Sequence, residues 1–170
     1  MKSMKVPFKM LFVGEGYACK DMKKMVKQTQ LTDQVKFLGL ITDRDELRYV
    51  YALADLFVFP SLYDNSPLVI QEAAAYDVPS IMVRGSSSAE GITDKVNGFL
   101  IENSSEALAS LVMEIMKYPE VIRLAGEGAR KSIYRNWEFI ADDVYHRYLE
   151  IINNYKPRKI KPVDDDEDLD

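Results

Sequence analysis

Residues 56–75 read LFVFPSLYDNSPLVIQEAAA, and their order decides the fold. Leu56 to Phe59 is an apolar run of strand length, and Pro60 ends it because proline has no N–H to give a sheet ladder. A polar loop follows. Pro67 suits the first position of a helix, where a missing N–H costs little, and Leu68 to Tyr76 carry the helix on. The free N–H groups near Leu68 and Val69 then point into the space beyond a strand's carboxyl end, a ready site for phosphate. Glu72 lies about one and a half turns into the helix, where its carboxylate can accept two hydrogen bonds from the paired hydroxyls of a ribose. Asp64, in the loop, can take hydroxyls of a second sugar. Spacing alone leaves the two acids as a loop acid and a solvated helix acid. The order of strand, Pro-Ser, helix start and Glu72 turns the reading to binding.

Outward from this stretch the alternation continues. Phe8 to Val13 reads as a strand entering a tight turn at Gly14-Glu15-Gly16, and Met22, Met25 and Val26 mark an amphipathic helix over about 18–30. Val35 to Leu38, closed by Gly39, is a second strand. Asp43 and Glu46 have capping-box spacing ahead of a helix whose apolar stripe is Leu47, Val50, Tyr51 and Ala54. Pro79 to Val83 is the next strand, and a serine turn at Ser86, Ser87 and Ser88 and a turn at Asn97-Gly98 precede the last one, Phe99 to Ile101. Three helices follow, marked by Leu108, Leu111, Val112 and Ile115, by Pro119, and by Ile140, Val144, Tyr148 and Ile151. This pattern predicts an α/β fold, a doubly wound, mostly parallel sheet with extra C-terminal helices. Such sheets bind ligands beyond the carboxyl ends of their strands, which directs attention to the loops at Gly14, Gly39, Pro60 and Arg84.

Composition narrows the classes. The chain has 170 residues, 47% apolar and 29% charged, enough for one domain with a sizeable core. Its net charge of −5 comes from the acidic run Asp164 to Asp170; the remainder is close to neutral and offers no grip for nucleic acid. One cysteine, Cys19, forms no internal disulfide, and with His146 as the single histidine no Cys/His zinc spacing is available. A cytoplasmic setting is expected, with membrane contact only from the surface. Residues 1–155 are read as one domain and 156–170 as a disordered tail, basic and then acidic. Gly14 and Gly16 lack the third glycine and the closing acid of a dinucleotide fingerprint. Cys19 reads as a small packing residue, His146 as a surface residue and the methionines 22, 25, 113 and 116 as core.

The sequence resembles the C-terminal, donor-binding half of retaining GT-B glycosyltransferases of the group 1 (family 4) type. Leu11-Phe-Val-Gly-Glu-Gly16, Val35-Lys-Phe-Leu-Gly39, Ala54-Asp-Leu-Phe-Val-Phe-Pro-Ser61, the two acids and Asn97-Gly-Phe-Leu100 carry the likeness, which runs to about Tyr155. The resemblance implies a Rossmann-like half of a GT-B fold that binds a nucleoside diphosphate sugar, with UDP-linked glucose as the expected kind of donor. It gives Asp64 the catalytic position near the donor sugar hydroxyls and Glu72 the nucleotide ribose. Asn65, Ser66, Leu68 and Val69 supply amides to the diphosphate, and Gly14, Gly39 and Arg84 complete the donor-binding set. No cofactor or metal is expected, the nucleotide sugar being the donor substrate. Asp64 stands where the family has glutamate, one methylene longer. An Arg and a Lys that neutralise the diphosphate, and an N-terminal acceptor-binding domain, precede the matched region in the family; neither is found ahead of Leu11, so the chain is expected to be incomplete by itself. The expected function is donor binding in transfer of a hexose to a saccharide or lipid acceptor, as in polysaccharide biosynthesis. The alternatives are a module that holds nucleotide sugar without turning it over and an interaction domain needing a partner half.

Overall fold

The computed structural model describes residues 7–64 and 68–156. The chain divides into two compact units, Met1–Tyr134 and Arg135–Asp170; the sequence reading carries a single domain on to residue 155. The first unit contains β1 (Met10–Val13), α1 (Cys19–Gln28), β2 (Val35–Gly39), α2 (Arg44–Ala52), β3 (Phe57–Phe59), α3 (Leu68–Ala74), β4 (Ser80–Val83), a 3-10 turn at Ser87–Ala89, β5 (Gly98–Ile101), α4 (Ser105–Ile115) and α5 (Pro119–Ser132). Every strand pairing is parallel, and helices connect the strands as the alternation requires.

The strands form two sheets, β1–β2 and β3–β4–β5, where the sequence leads one to expect a single sheet. In the sheet of three, β4 is central and buried along its whole length. Because successive side chains point to opposite faces, Ile81 packs with Phe99, Ile101, Leu111, Ile115 and Ala125, while Met82 packs with Ile70 and Ala89. One face is thus covered by α4 and α5 and the other by α3, the layering of a doubly wound sheet. The sheet of two is more open. Phe12 and Phe37 stack at 5.0 Å between centroids, but Leu11 and Val13 remain 38% and 43% exposed, unlike parallel strands covered on both faces. The same openness changes α1. No residue of that helix is buried and Met25 is 64% exposed, so the expected apolar stripe of Met22, Met25 and Val26 is not a core face, since two strands offer little surface to cover it.

Local chemistry explains the element ends. The Asp43 side chain caps α2, accepting from the backbone N–H of Asp45 at 2.7 Å and of Glu46 at 3.1 Å. Helix α3 closes through Asp77 in the left-handed region (φ 57°), with the N–H of Val78 donating to the Ala73 carbonyl at 3.1 Å and that of Asp77 to Ala74 at 3.1 Å. Helix α5 then seals this turn. A Cβ on Gly126 would stand 1.9 Å from the Asp77 carbonyl oxygen, and one on Gly128 would stand 2.0 Å from that of Val96. One helical turn further along each row, Arg130 donates to the Ala75 carbonyl and Ser132 receives a bond from Asn97 Nδ2 at 2.8 Å. Asn97 is 5% exposed and fully employed, its Nδ2 also donating to the Gly91 carbonyl at 3.0 Å and its Oδ1 accepting from Thr93 N–H at 2.6 Å.

The second unit is built on α6 (Trp137–Asn154), capped by Asn136 Oδ1 accepting from Glu138 N–H at 3.1 Å. Of its apolar stripe, Ile140 is half-buried and Val144, Tyr148 and Ile151 are 43%, 62% and 61% exposed. The expected disordered tail, apart from Lys156, lies outside the described residues. Among the described residues no helix is long and apolar enough to cross a membrane.

The glycine seam makes a stability prediction. Gly126→Ala is expected to cost about 1–3 kcal/mol or more, because backbone on both sides must move to admit one methyl group. Gly16→Ala, where nothing lies within 4 Å of the new carbon, should change stability by less than about 0.5 kcal/mol. Urea denaturation of both variants measures the contrast, and equal midpoints would show that α5 does not rest on Asp77.

Candidate functional site

The space beyond the carboxyl ends of β3 and β4 is organised by two loops that bond to each other. Parallel neighbours deliver their outgoing loops to the same edge, and here the serine turn after β4 holds the loop after β3. Ser88, 2% exposed, donates its hydroxyl to the Ser61 carbonyl at 2.6 Å. Ser87 Oγ lies 3.3 Å from the carbonyl oxygens of both Leu62 and Asp64. Ser86 Oγ bonds to the Val83 carbonyl at 2.8 Å and lies 3.0 Å from Ser88 Oγ. These hydroxyls are directed at the chain itself. Three small hydroxyl residues after a buried strand were the available signal; the carbonyls that Ser87 and Ser88 reach depend on the β3–β4 pairing, which no local pattern states.

Asp64 is exposed at the end of this held loop, with its carbonyl bonded and its side chain on the surface. Asn65 and Ser66, together with Pro67, lie outside the described residues. Leu68 begins α3 and is 58% exposed; Val69 is half-buried. Glu72 is the fifth residue of α3, and its position on the helix places its side chain at the border between core and surface.

The partner of Glu72 comes from α2. Tyr51 Oη donates to Glu72 Oε2 at 3.1 Å. Tyr51 is 9% exposed and sits among Ala73, Val78, Leu47, Ala54 and Phe57. Its ring meets Phe57 edge-on at 5.9 Å and stacks on Tyr76 at 6.2 Å with 7° between planes. Burial, and then the negative charge of Glu72 and the bond to it, push the phenol well above the usual tyrosine range. Sequence reasoning places Tyr51 on the apolar stripe of α2, which is right for its ring; its hydroxyl goes to an acid 21 positions away.

The remaining candidates stand apart. Gly14 follows β1 and Gly39 ends β2, with φ of 107° and 70°, and the N–H of Gly14 donates to the Gly39 carbonyl at 2.7 Å. They belong to the sheet of two. The Arg84 guanidinium is drawn toward β5, donating from Nη2 to Asp94 Oδ2 at 3.0 Å and the Leu100 carbonyl at 3.4 Å, with Nε 3.5 Å from Glu102 Oε1. Cys19 is half-buried at the start of α1, and His146 is exposed on α6 beside Tyr145. Among the described residues no group of three or more His, Cys, Asp or Glu could hold a metal ion.

Comparison with known proteins bears on the family and the fold. The family model described as glycosyl transferases group 1 matches residues 1–132. N-acetyl-alpha-D-glucosaminyl L-malate synthase of Bacillus anthracis is 30% identical over 158 residues, covering 91% of this chain and 41% of that protein. A GDP-mannose-dependent alpha-mannosyltransferase of Corynebacterium glutamicum is 28% identical, covering 84% of the chain and 33% of its own length. The chain therefore spans less than half the length of these relatives. Among solved structures, HepE of Anabaena in complex with UDP superposes with a TM-score of 0.73 at 21% identity, over 84% of this chain and 41% of HepE. The C-terminal domain of the group 1 family protein LpcC from Francisella tularensis superposes with a TM-score of 0.64 at 20% identity, over 78% of this chain and 88% of that domain. These likenesses bear out the fold.

Two predictions come from the geometry. Ser88→Ala leaves the Ser61 carbonyl without its partner and should lower stability by about 1–3 kcal/mol, with faster amide exchange in residues 61–64. Unchanged exchange there would mean that the serine does not hold the loop. The Tyr51 phenol binds its proton more tightly in the folded than in the unfolded chain. Above about pH 10 the folded state holds more protons at this site, so its contribution to stability is full below that pH and falls as pH rises. Urea midpoints measured from pH 9 to 11 should decline less steeply for Tyr51→Phe than for the unaltered protein.

Proposed function

The chain belongs to the group 1 glycosyl transferases, and on that premise we propose that it binds the nucleoside diphosphate sugar of a hexosyl transfer, with uridine diphosphate as the carrier. The observation that carries this reading is the Glu72 carboxylate, held on α3 beyond the end of β3 and eight residues after Asp64. A carboxylate accepts hydrogen bonds and gives none, so this position suits a pair of hydroxyls such as those of ribose. Asp64, presented by a loop that Ser87 and Ser88 tie down, suits the hydroxyls of the donor sugar. The diphosphate then lies near the start of α3, where the backbone N–H groups of Leu68 and Val69 point toward it. The UDP complex of HepE supports uridine as the base.

Transfer in the whole protein is proposed to retain the anomeric configuration, as the spacing of the two acids in retaining enzymes suggests, and to deliver the hexose to a saccharide or lipid acceptor. A second half holds that acceptor, in the same polypeptide or in a separate one; the greater length of the relatives supports this division. The residues assigned here bind and orient the donor. Asp64 fixes the sugar against rotation so that the bond to be broken faces the acceptor, and Glu72 fixes the nucleotide end. No metal cofactor is assigned to this step. The donor is proposed to reach the protein in the cytoplasm, with membrane contact only at the surface.

Calorimetric titration of UDP, GDP, ADP and their hexose conjugates, with EDTA present, tests the reading. Glu72→Ala should weaken the preferred nucleotide by about 1.5–3 kcal/mol, roughly 10- to 100-fold. Asp64→Ala should weaken the sugar conjugate more than the bare diphosphate. Equal affinity before and after Glu72→Ala would remove the ribose assignment, and equal losses for both ligands in Asp64→Ala would remove the sugar assignment.

A further inference from the structure

We propose that Tyr51 is a positioning residue for the nucleotide site: from α2, its hydroxyl fixes the Glu72 carboxylate in the orientation that receives a ribose. The inference rests on the reading of Glu72 as the ribose acceptor and adds a residue that does not itself meet the ligand.

A glutamate side chain on a helix has three torsions to order before its carboxylate can accept two hydroxyls at once, and ordering them at the moment of binding weakens affinity. Here the ordering is already in place. Tyr51 Oη donates to Glu72 Oε2 at 3.1 Å, and the ring behind that hydroxyl has little freedom, being 9% exposed, edge-on to Phe57 and stacked on Tyr76. Ala73 and Val78 pack around the same ring, so the donor and the helix that carries the acceptor share one small core. A phenylalanine would fill that core equally well. What the tyrosine adds is one oxygen, directed at one carboxylate.

The kind of donor matters as much as its place. A lysine or arginine bonded to Glu72 would offset its charge and compete with ligand hydroxyls for the same lone pairs. The Tyr51 phenol is neutral, and burial beside an anion keeps its proton in place. It occupies one of the roughly four acceptor sites of the carboxylate and leaves the negative charge to strengthen bonds from the ribose. The arrangement therefore favours a ligand that brings two adjacent hydroxyls and no cation, which describes the 2′ and 3′ positions of a ribonucleotide.

The test is a comparison of ribose with 2′-deoxyribose. UDP, GDP and ADP and their 2′-deoxy counterparts are titrated calorimetrically into the 170-residue chain and into Tyr51→Phe, Glu72→Ala and the double variant. The unaltered chain should prefer one ribonucleotide over its deoxy form, and Tyr51→Phe should shrink that preference by about fivefold while leaving deoxynucleotide affinity within about twofold. A residue acting only through packing would lower both affinities together. Tyr51→Phe should also change nothing further once Glu72 is alanine, a cycle that reads the coupling even if the single variant is less stable. An unchanged preference in Tyr51→Phe, or full additivity in the double variant, overturns the positioning role while Glu72→Ala still shows the ribose contact. A chain that binds none of the three nucleotides, or shows no preference for ribose, overturns the proposed function and this inference with it.

Discussion

Helix α5 approaches the backbone so closely at two glycines that the placement of everything beneath it is fixed. Gly126 lies against the Asp77 carbonyl and Gly128 against that of Val96 at distances that leave no room for a side chain. Asp77 ends α3, and Val96 precedes β5, so a single helix sets both the end of the helix that carries Glu72 and the entry of the sheet's last strand. Arg130 and Ser132 add directional bonds to the same two segments, at Ala75 and Asn97. Interiors are close-packed and respond as a unit, so a shift of α5 would be felt at Glu72. The approach at Asp77 also explains how a residue other than glycine holds a left-handed turn there. The turn's carbonyl is clamped from above, and aspartate is among the residues that tolerate the conformation.

Much of this architecture was legible from local pattern. The run from Leu56 to Phe59, the stop at Pro60 and the apolar face of the next helix correspond to β3 and α3 to within a residue or two, because each signal rests on a constraint that acts locally: strand period, proline's missing donor, helix period. Asp43 as a cap is of the same kind. Where the reading went astray, the determining contact was distant. A stripe such as Met22, Met25 and Val26 states that a helix has an apolar side, yet whether that side is covered depends on how much sheet lies opposite, and β1–β2 supplies two strands. Whether β1 joins β3 is likewise a property of two open edges that no single stretch contains.

The site divides along the same line. Asp64 and Glu72 could be picked out because strand, loop and helix start stand in one continuous stretch. Tyr51, Ser87 and Ser88 could not, since their partners lie 21 to 27 positions away and are brought near by pairing and packing. Arg84 has partners that its own stretch does not show. An arginine at a strand end near a proposed diphosphate suggests an anion contact, but Asp94 and Glu102 already face it.

These placements give the site a definite chemical character. The two acids of the β3–α3 segment are acceptors: the Glu72 carboxylate, bonded by a neutral phenol, and the exposed Asp64 on its tied loop. Acceptors of this kind attract hydroxyls and repel phosphates, which under the proposed function would select the sugars of a nucleotide sugar. Arg84, the cation closest in sequence to the serine turn, is engaged with carboxylates at β5. On the proposed reading, donors for the diphosphate from this segment are backbone N–H groups, whose direction is set by the start of α3 and whose position is set by the closure of α3 at Asp77. The glycine seam that shapes the fold thus also holds the helix on which the two proposed kinds of recognition, hydroxyls by carboxylate and phosphate by amide, must be kept in register.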